Sequence, residues 1–378
     1  MSSTPAPLRV AVLPGDHIGP EITAAAVAVL KAAASRHCID LALPVLEVGH
    51  RSLERHGTTL TDEAFRAAAQ ADGILLGPCD NGGYPPPSEG GINVPGRFRH
   101  ALDLYANIRP SRAHPSLPLA RPGLDVLVVR ENTEGFYPDR NMHEGHAEVM
   151  PVEGVAISLR KITAHASERI ARTAFEWARR RRRHVTIVEK KHILRLTDGL
   201  FHDTCRKVAR EYPDVQCRSA IVDAFNADIY MSPEKYDVVV TTNMFGDILS
   251  NLCSALAGGL GLGGGVNTGD RHAMANASHG SAPDIGGQDR ANPVSMVVSA
   301  AMLLGWLGAR HGRRELLEAQ AGILRAVDTV LADPALRTVD VGGTATTRAC
   351  AAAIVAAMEN EAPPPAASRP AAQGCAPA

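Results

Sequence analysis

The chain has no Cys-x-x-Cys pair, no excess of charge of either sign, no internal repeat and no long uninterrupted apolar run. Each lack closes a class of function. The seven cysteines, Cys38, Cys79, Cys205, Cys217, Cys253, Cys350 and Cys375, are scattered and odd in number, which argues for free thiols in a reducing compartment. A formal net charge of -1 supplies no general attraction to nucleic acid or to an anionic membrane. The one concentrated charge run, Arg179 to Arg183, reads as the exposed last turn of a helix, where cations suit the dipole. The start, "MSSTPAPLRVAVLPG", has no basic segment followed by an apolar one, so no secretory signal is expected. The nearest approach to a membrane span, "NPVSMVVSAAMLLGWLGA", is short and interrupted by Pro, Ser and Gly. A cytoplasmic protein with neither nucleic-acid nor membrane partner is expected.

What is present is a globular chain of 378 residues, 45% of them apolar, enough for two or three domain-sized units. "LRVAVLPGDHIGPEITAAAVAVLKAAA" reads as a buried strand, a Gly/Pro turn and a helix. "ADGILLGP", "GLDVLVVRENTEG", "RHVTIVEKK" and "YDVVVTTN" repeat the strand pattern, with helical stretches such as Ser167 to Arg179 and Leu200 to Glu211 between them. Continuous apolar strands alternating with helices predict an α/β fold with a mostly parallel sheet covered on both faces. Chemistry in such folds gathers at the carboxyl ends of the strands, where "RENTEGFY", "EKKH" and "TTNMFGD" sit. The Pro/Ala-rich end, 362–378, reads as a disordered tail.

Two short motifs have local readings. In "GDILSN", Asp247 and Asn251 stand four apart in a helical segment, so their side chains lie one above the other. Such a pair suits a hard divalent cation; the plain alternative is an acidic residue in the first turn of a helix. Gly259-Leu-Gly261-Leu-Gly-Gly264 spells G-x-G-x-x-G, but a helical segment precedes it where the dinucleotide motif needs a strand. It reads as a Gly-rich turn.

Four longer stretches, "LPGDHIGPEI", "DLYANIRP", "RENTEGFY" and "HGSAPDIGGQDRANP", together with "TTNMFGDILSN" and "GGTATT", resemble the β-decarboxylating dehydrogenases that act on isocitrate, 3-isopropylmalate, homoisocitrate and tartrate. The likeness runs from about residue 8 to 360. It implies a non-Rossmann α/β/α fold with a large domain from 1–104 and 258–361, a central domain from 105–257, a cleft between them and a homodimer with shared active sites. It implies NAD as cofactor, Mg2+ or Mn2+ as metal, and a 3-substituted malate as substrate. Arg99, Arg109 and Arg130 match the substrate arginines; planar guanidinium forks suit carboxylates. Asp247 matches one metal aspartate and Asp223 another, supplied by the partner subunit. Tyr137 matches the tyrosine that protonates the enolate, and Lys190 the partner-subunit lysine that helps deprotonate the hydroxyl. On the cofactor side stand Ile18, His192, His279, Gly280, Ser281, Ala282, Pro283, Asp284 and Asn292. A carboxylate at 284 accepts from a ribose 2'-hydroxyl and repels a 2'-phosphate.

The chain also departs from the pattern. Asn251 replaces a metal aspartate, His192 an asparagine, Asn276 a glutamate, and His17 a glycine. These changes favour a competing reading, a weakly catalytic ligand-binding subunit of a hetero-oligomer. Retention of the arginines, Tyr137, Lys190 and both aspartates favours an enzyme. Before Arg99, where the family reads the C3 substituent, the chain offers Asn93, Val94, Pro95, Gly96 and Arg97. Little apolar wall remains there, so a polar or anionic arm is expected. Arg97 is a solvated side chain if the segment is helical, and a partner for the arm if a turn swings it inward.

Overall fold

The computed structural model describes residues 7–137, 142 and 147–360; the tail expected over 362–378 lies outside them. Its strands are β1 (Leu8–Leu13), β2 (Leu41–Ala42), β3 (Gly73–Leu76), β4 (Ala106–Arg112), β5 (Asp125–Glu131), β6 (Glu148–Val152), β7 (Val155–Ser158), β8 (His184–Glu189), β9 (Gln216–Ile221), β10 (Val238–Thr241), β11 (Val266–Thr268) and β12 (Ala273–Asn276). Ten of them form one sheet in the order β2-β1-β3-β12-β11-β4-β5-β10-β8-β9, and β6 pairs with β7. The two flanks are parallel, and β11 and β4 join them through antiparallel pairs. The flank β2-β1-β3-β12 comes from residues 8–76 and 273–276; the flank β5-β10-β8-β9 comes from the middle of the chain.

Helices cover both faces, which is why these strands carry apolar residues without polar alternation. On the second flank Leu127, Val129, Val238 and Val240 turn to one layer with Ile170, Phe175 and Phe201. Val126, Val128 and Val239 turn to the other with Phe225, Ile229 and Leu249. Each such side chain contributes about 1.5–3 kcal/mol by leaving water. The first flank packs under the helices Gly19–Arg36, Val294–His311, Arg314–Ala332 and Thr347–Asn360.

Val294–His311 corresponds to the apolar stretch weighed as a membrane span. It is an unbroken helix, long and apolar enough to cross a membrane by composition, yet 67% of it is buried in the fold. Its serines are used internally: Ser299 Oγ donates to Ser295 O at 2.7 Å and accepts from Gly265 N–H at 2.9 Å. The arginine run differs from expectation too. Arg179 ends the helix Ala164–Arg179, but Arg181 bridges Asp125 and the buried Asp237, each at 2.7 Å, and Arg182 reaches Asp125 at 2.9 Å. The run ties a helix end to the starts of β5 and β10 instead of standing free in solvent.

Candidate active site

The site forms where β5 and β10 end, the antiparallel β4 begins and the helix Asn243–Leu256 starts. Asp247 lies beyond that helix's first turn, which contains no acidic residue, so the helix-start reading of "GDILSN" fails. Thr242 takes the N-cap position, and Asp247 instead faces Arg109 and Arg130. Arg109 Nη1 donates to its Oδ1 at 3.1 Å, Arg130 Nη1 bonds the same oxygen, and the Tyr137 hydroxyl donates to Oδ2 at 2.8 Å. Burial alone would raise the Asp247 carboxyl; Arg130, Arg109 and Tyr137 outweigh it and hold it at about 2. Burial and the neighbouring Arg130 push Arg109 down to about 10, so both partners stay ionised near neutrality.

Each guanidinium is clamped from behind, which preorganises it for a carboxylate. Arg130 gives Nε and Nη2 to Asn243 Oδ1 at 2.9 and 2.6 Å. Arg109 gives Nε to Asn107 Oδ1 at 2.9 Å and Nη1 to Ser250 Oγ at 2.8 Å. Asn107 in turn belongs to a buried amide chain with Asn267, Asn132 and Asn276. A glycine makes room for this: a Cβ at Gly246 would stand 2.5 Å from Arg130 Cγ. Gly246→Ala should therefore displace Arg130, although alanine is favoured in helices by about 1 kcal/mol. Overpacking costs about 1–3 kcal/mol, so the variant should melt lower and show a KM raised at least about tenfold. An unchanged KM would mean that Arg130 does not hold substrate.

A cavity of about 330 Å³ opens onto this cluster. Its lining includes Asn93, Arg99, Arg109, Arg130, Tyr137, Asp247 and Asn251, with Asn81, Asn276, Ser278, His279 and Gly280 opposite. Asn93 caps the helix Val94–Ala101, its Oδ1 accepting from Gly96 N–H at 2.9 Å. Arg97 is not there. Its guanidinium lies over the Phe65 ring, 5.1 Å from the centroid, because helical geometry turns position 97 away from position 99. The inward-swung alternative for Arg97 is thereby corrected.

Lys190 and Asp223 stand apart from this cavity and pair with each other. The hydrogen bond from Lys190 holds the exposed Asp223 carboxyl below its ordinary range, with His192 adding to the effect. Lys191 turns elsewhere, its Nζ lying 3.1 Å from the His202 ring nitrogens. The loop carrying Lys190 is anchored by the buried Asp198, which accepts its backbone N–H at 3.2 Å and pairs with Arg160.

A second cavity, about 550 Å³, is lined by Ile18, Gly261, His279, Gly280, Ala282, Asn292 and Asp340, among others. The Gly-rich turn contributes Gly261, where a Cβ would come within 2.8 Å of Asn292 and Asp340. Ser281 is buried, and its carbonyl accepts from Ile18 N–H at 3.1 Å. Ala282 adopts φ 42 at the edge of the turn Pro283–Ile285, a conformation that clusters at functional sites. Asp284 is exposed on that turn and is not part of the cavity wall. His279 shares both cavities. Its Nδ1 faces Gly280 O at 2.9 Å, and its buried Nε2 has no partner among the described residues. Burial lowers its pKa, so it is a neutral ring whose Nε2 is an acceptor.

Over residues 9–356 the chain matches the isocitrate/isopropylmalate dehydrogenase family. It belongs to that family. The isocitrate/homoisocitrate dehydrogenase of Thermus thermophilus is 40% identical over 359 residues, covering 93% of this chain and 99% of the relative. The 3-isopropylmalate/3-methylmalate dehydrogenase of Methanocaldococcus jannaschii is 38% identical over 340 residues, 89% of this chain and 94% of the relative. The crystal structure of isocitrate dehydrogenase from Methylococcus capsulatus superposes with a TM-score of 0.83 at 36% identity, covering 93% of this chain and 99% of that one. As a family member the protein is an oxidoreductase acting on a CH–OH group, built on the family's α/β fold with its large, mostly parallel sheet.

Several of its site residues escaped the motif reading. Asn107 and Ser250 stand behind Arg109, Asn243 behind Arg130, and the Glu134 carbonyl accepts from the Asn243 amide at 2.8 Å. Of these, only Asn243 and Glu134, just past the ends of β10 and β5, carried a positional signal. Glu134 is buried beside Glu131 and accepts Thr163 N–H at 2.8 Å. Burial raises its carboxyl to about 7 from an ordinary 4.5. With the folded pKa above the unfolded one, the stabilising protonated state is fully present below about 4.5 and lost as pH rises through about 7. Glu134→Gln should abolish that slope and be more stable than the parent above pH 7 by about 2 kcal/mol, measured by urea unfolding across pH 4 to 8.

Proposed function

We propose that the protein oxidises and decarboxylates a 3-substituted malate with a polar or anionic C3 arm, using NAD and Mg2+ or Mn2+. The carrying observation is the convergence of Arg99, Arg109 and Arg130 with Asp247 and Tyr137 in one cavity. Three guanidiniums fit a substrate bearing carboxylates on C1 and C3. The wall near Asn93 is polar, with Asn81, Asn251 and Ser278 around it, which suits a hydrogen-bonding arm over a branched alkyl group. Asp247, ionised above about pH 2, and Asn251 one turn on are an oxygen-donor set suited to a hard divalent ion. The unpartnered Nε2 of His279 fits the exocyclic amine of an adenine, and exposed Asp284 fits a ribose hydroxyl.

Bound at these residues, NAD would supply a hydride acceptor for C2 and the divalent ion a Lewis acid. The arginines fix the substrate's carboxylates and so orient its C2 hydroxyl. Lys190 takes the hydroxyl proton, and Tyr137 returns a proton to C3 after CO2 leaves. Because Lys190 and Asp223 lie outside the cavity of their own chain, they serve the site of a second copy. Exposed Ile193, Leu196, Leu200, Ile221, Tyr230 and Met231 surround them in the sequence, and Val149, Met150, Val152, Val155 and Ile157 are exposed on β6 and β7; apolar surface of that extent marks an interface. The two sheet flanks correspond on this reading to the lobes 1–104 with 258–361 and 105–257. The scattered thiols suit a reducing cytoplasm.

NADH production by the purified chain with Mn2+ and a panel of substituted malates tests the proposal. The highest kcat/KM on an isopropyl substrate would remove the polar-arm assignment, and no turnover on any malate would favour the ligand-binding subunit. Asn251→Asp should lower the Mn2+ concentration for half-maximal rate about tenfold by restoring a ligand charge. An unchanged metal dependence would place Asn251 outside the metal shell.

A further inference from the structure

Beside Ile18, which lines the second cavity, and Cys79 and Asn81, which line the first, His17 after β1, His50 at the first position of the helix His50–His56 and Asp80 after β3 come together. Nε2 of each histidine lies 3.0 Å from the same oxygen, Asp80 Oδ2, and the three donor atoms lie within 4.8 Å of one another. A plain hydrogen-bond cluster accounts for the contacts, with both rings donating Nε2–H to one carboxylate oxygen. Three further features go beyond it. His17 occupies a left-handed backbone position, φ 51, which glycine would take without strain, so the imidazole is held there against the backbone's preference. Asp16 is buried and staples a helix start to the loop after β3: its Oδ1 accepts His50 N–H at 2.8 Å, its Oδ2 accepts Asp80 N–H at 2.9 Å, and the Tyr84 hydroxyl bonds that same Oδ2. At Gly49 a Cβ would stand 2.1 Å from Asp16 Oδ1, so the staple depends on a glycine. The three side chains keep 29%, 34% and 25% of their surface exposed, leaving an open side for water.

We propose that His17, His50 and Asp80 bind a borderline divalent cation, Zn2+ or Ni2+, at a site distinct from the Asp247 and Asn251 pair. Two imidazoles and one carboxylate form a three-ligand set for such ions, completed by water; Mg2+ prefers all-oxygen surroundings. The cation replaces the two Nε2 protons, using the lone pairs of the other tautomers, and Asp16 supplies the outer support that fixes two of the ligand-bearing segments. The site adjoins the turn facing the second cavity: Ile18 N–H donates to Ser281 O, and a Cβ at Gly286 would lie 3.0 Å from His17 Cβ. A bound ion therefore braces that turn against the loop after β1.

Tag-free full-length protein, stripped with chelator and exchanged into chelator-free buffer, is titrated calorimetrically with Zn2+, and Co2+ spectra report imidazole ligation. One equivalent should bind, raising the melting temperature. His17→Gly, His50→Gln and Asp80→Asn should each weaken Zn2+ binding at least tenfold, whereas Asp247→Asn should retain it. His17→Gly relieves the left-handed strain, so its metal-free melting temperature should equal or exceed the parent's, separating ligand loss from misfolding. Zn2+ binding unchanged in His17→Gly and His50→Gln, lost only in Asp247→Asn, or absent from the parent would overturn the assignment.

Discussion

Asp247→Asn should cut turnover steeply and destabilise the protein together. Its carboxylate is shared by Arg109 and Arg130, both buried, and by the Tyr137 hydroxyl. An amide of the same shape leaves two buried cations facing each other without a counter-charge. Removing one partner of a buried pair costs about 3–5 kcal/mol; because Asp247 keeps 36% of its side-chain surface exposed, the loss should sit near the lower figure. The fall in kcat should be on the order of 10³-fold, the size seen when a preorganised charge at a reacting centre is removed. pH separates the two effects. Asp247 is held at about 2 against an ordinary 3.8, so its stabilisation is present above about pH 4 and lost as pH falls through about 2. Urea unfolding should show the parent and variant differing at neutral pH and converging in acid. A constant difference across that range would mean that the arginines do not hold the carboxylate ionised.

The second large effect concerns Lys190. Lys190→Met should remove turnover with the fold intact, since the side chain is partly exposed and its partner Asp223 is more so. Lys191→Met should keep activity, because Lys191 turns to His202. Mixing inactive Lys190→Met with inactive Asp247→Asn tests the shared site directly. Each heterodimer would contain one complete site, Asp247 from one chain and Lys190 from the other. Random exchange makes about half the dimers mixed, so about one quarter of parental activity should return. No recovery after verified subunit exchange would place Lys190 and Asp247 of one chain in one site.

Legibility in the sequence followed burial pattern. β1, β3, β5, β8 and β10 are apolar runs covered on both faces, and each announced itself. β4 did not, because Asn107 and Arg109 occupy buried positions on it. These buried polar side chains erased the hydrophobic signal that would have marked the strand. β6 and β7 are exposed along their whole length, and neither gave a core pattern to read. The helix Val294–His311 read as interrupted, since its serines look polar until they are seen to bond within the fold.

Composition and motif order by themselves determined the family and the class of chemistry, and singled out the arginines, Tyr137, Lys190 and the aspartates as candidates, because motif matches depend on residue type in a fixed sequence context. Tertiary structure alone decided which of them meet. It joined Arg109 on β4 and Arg130 on β5 at one carboxylate of a later helix, excluded Arg97, kept Lys190 and Asp223 apart from that cluster, and assembled His17, His50 and Asp80 from two loops and a helix start. Contacts between residues distant in the chain are set by how a twisted sheet and its covering helices pack. Local spacing along the chain holds no record of that packing.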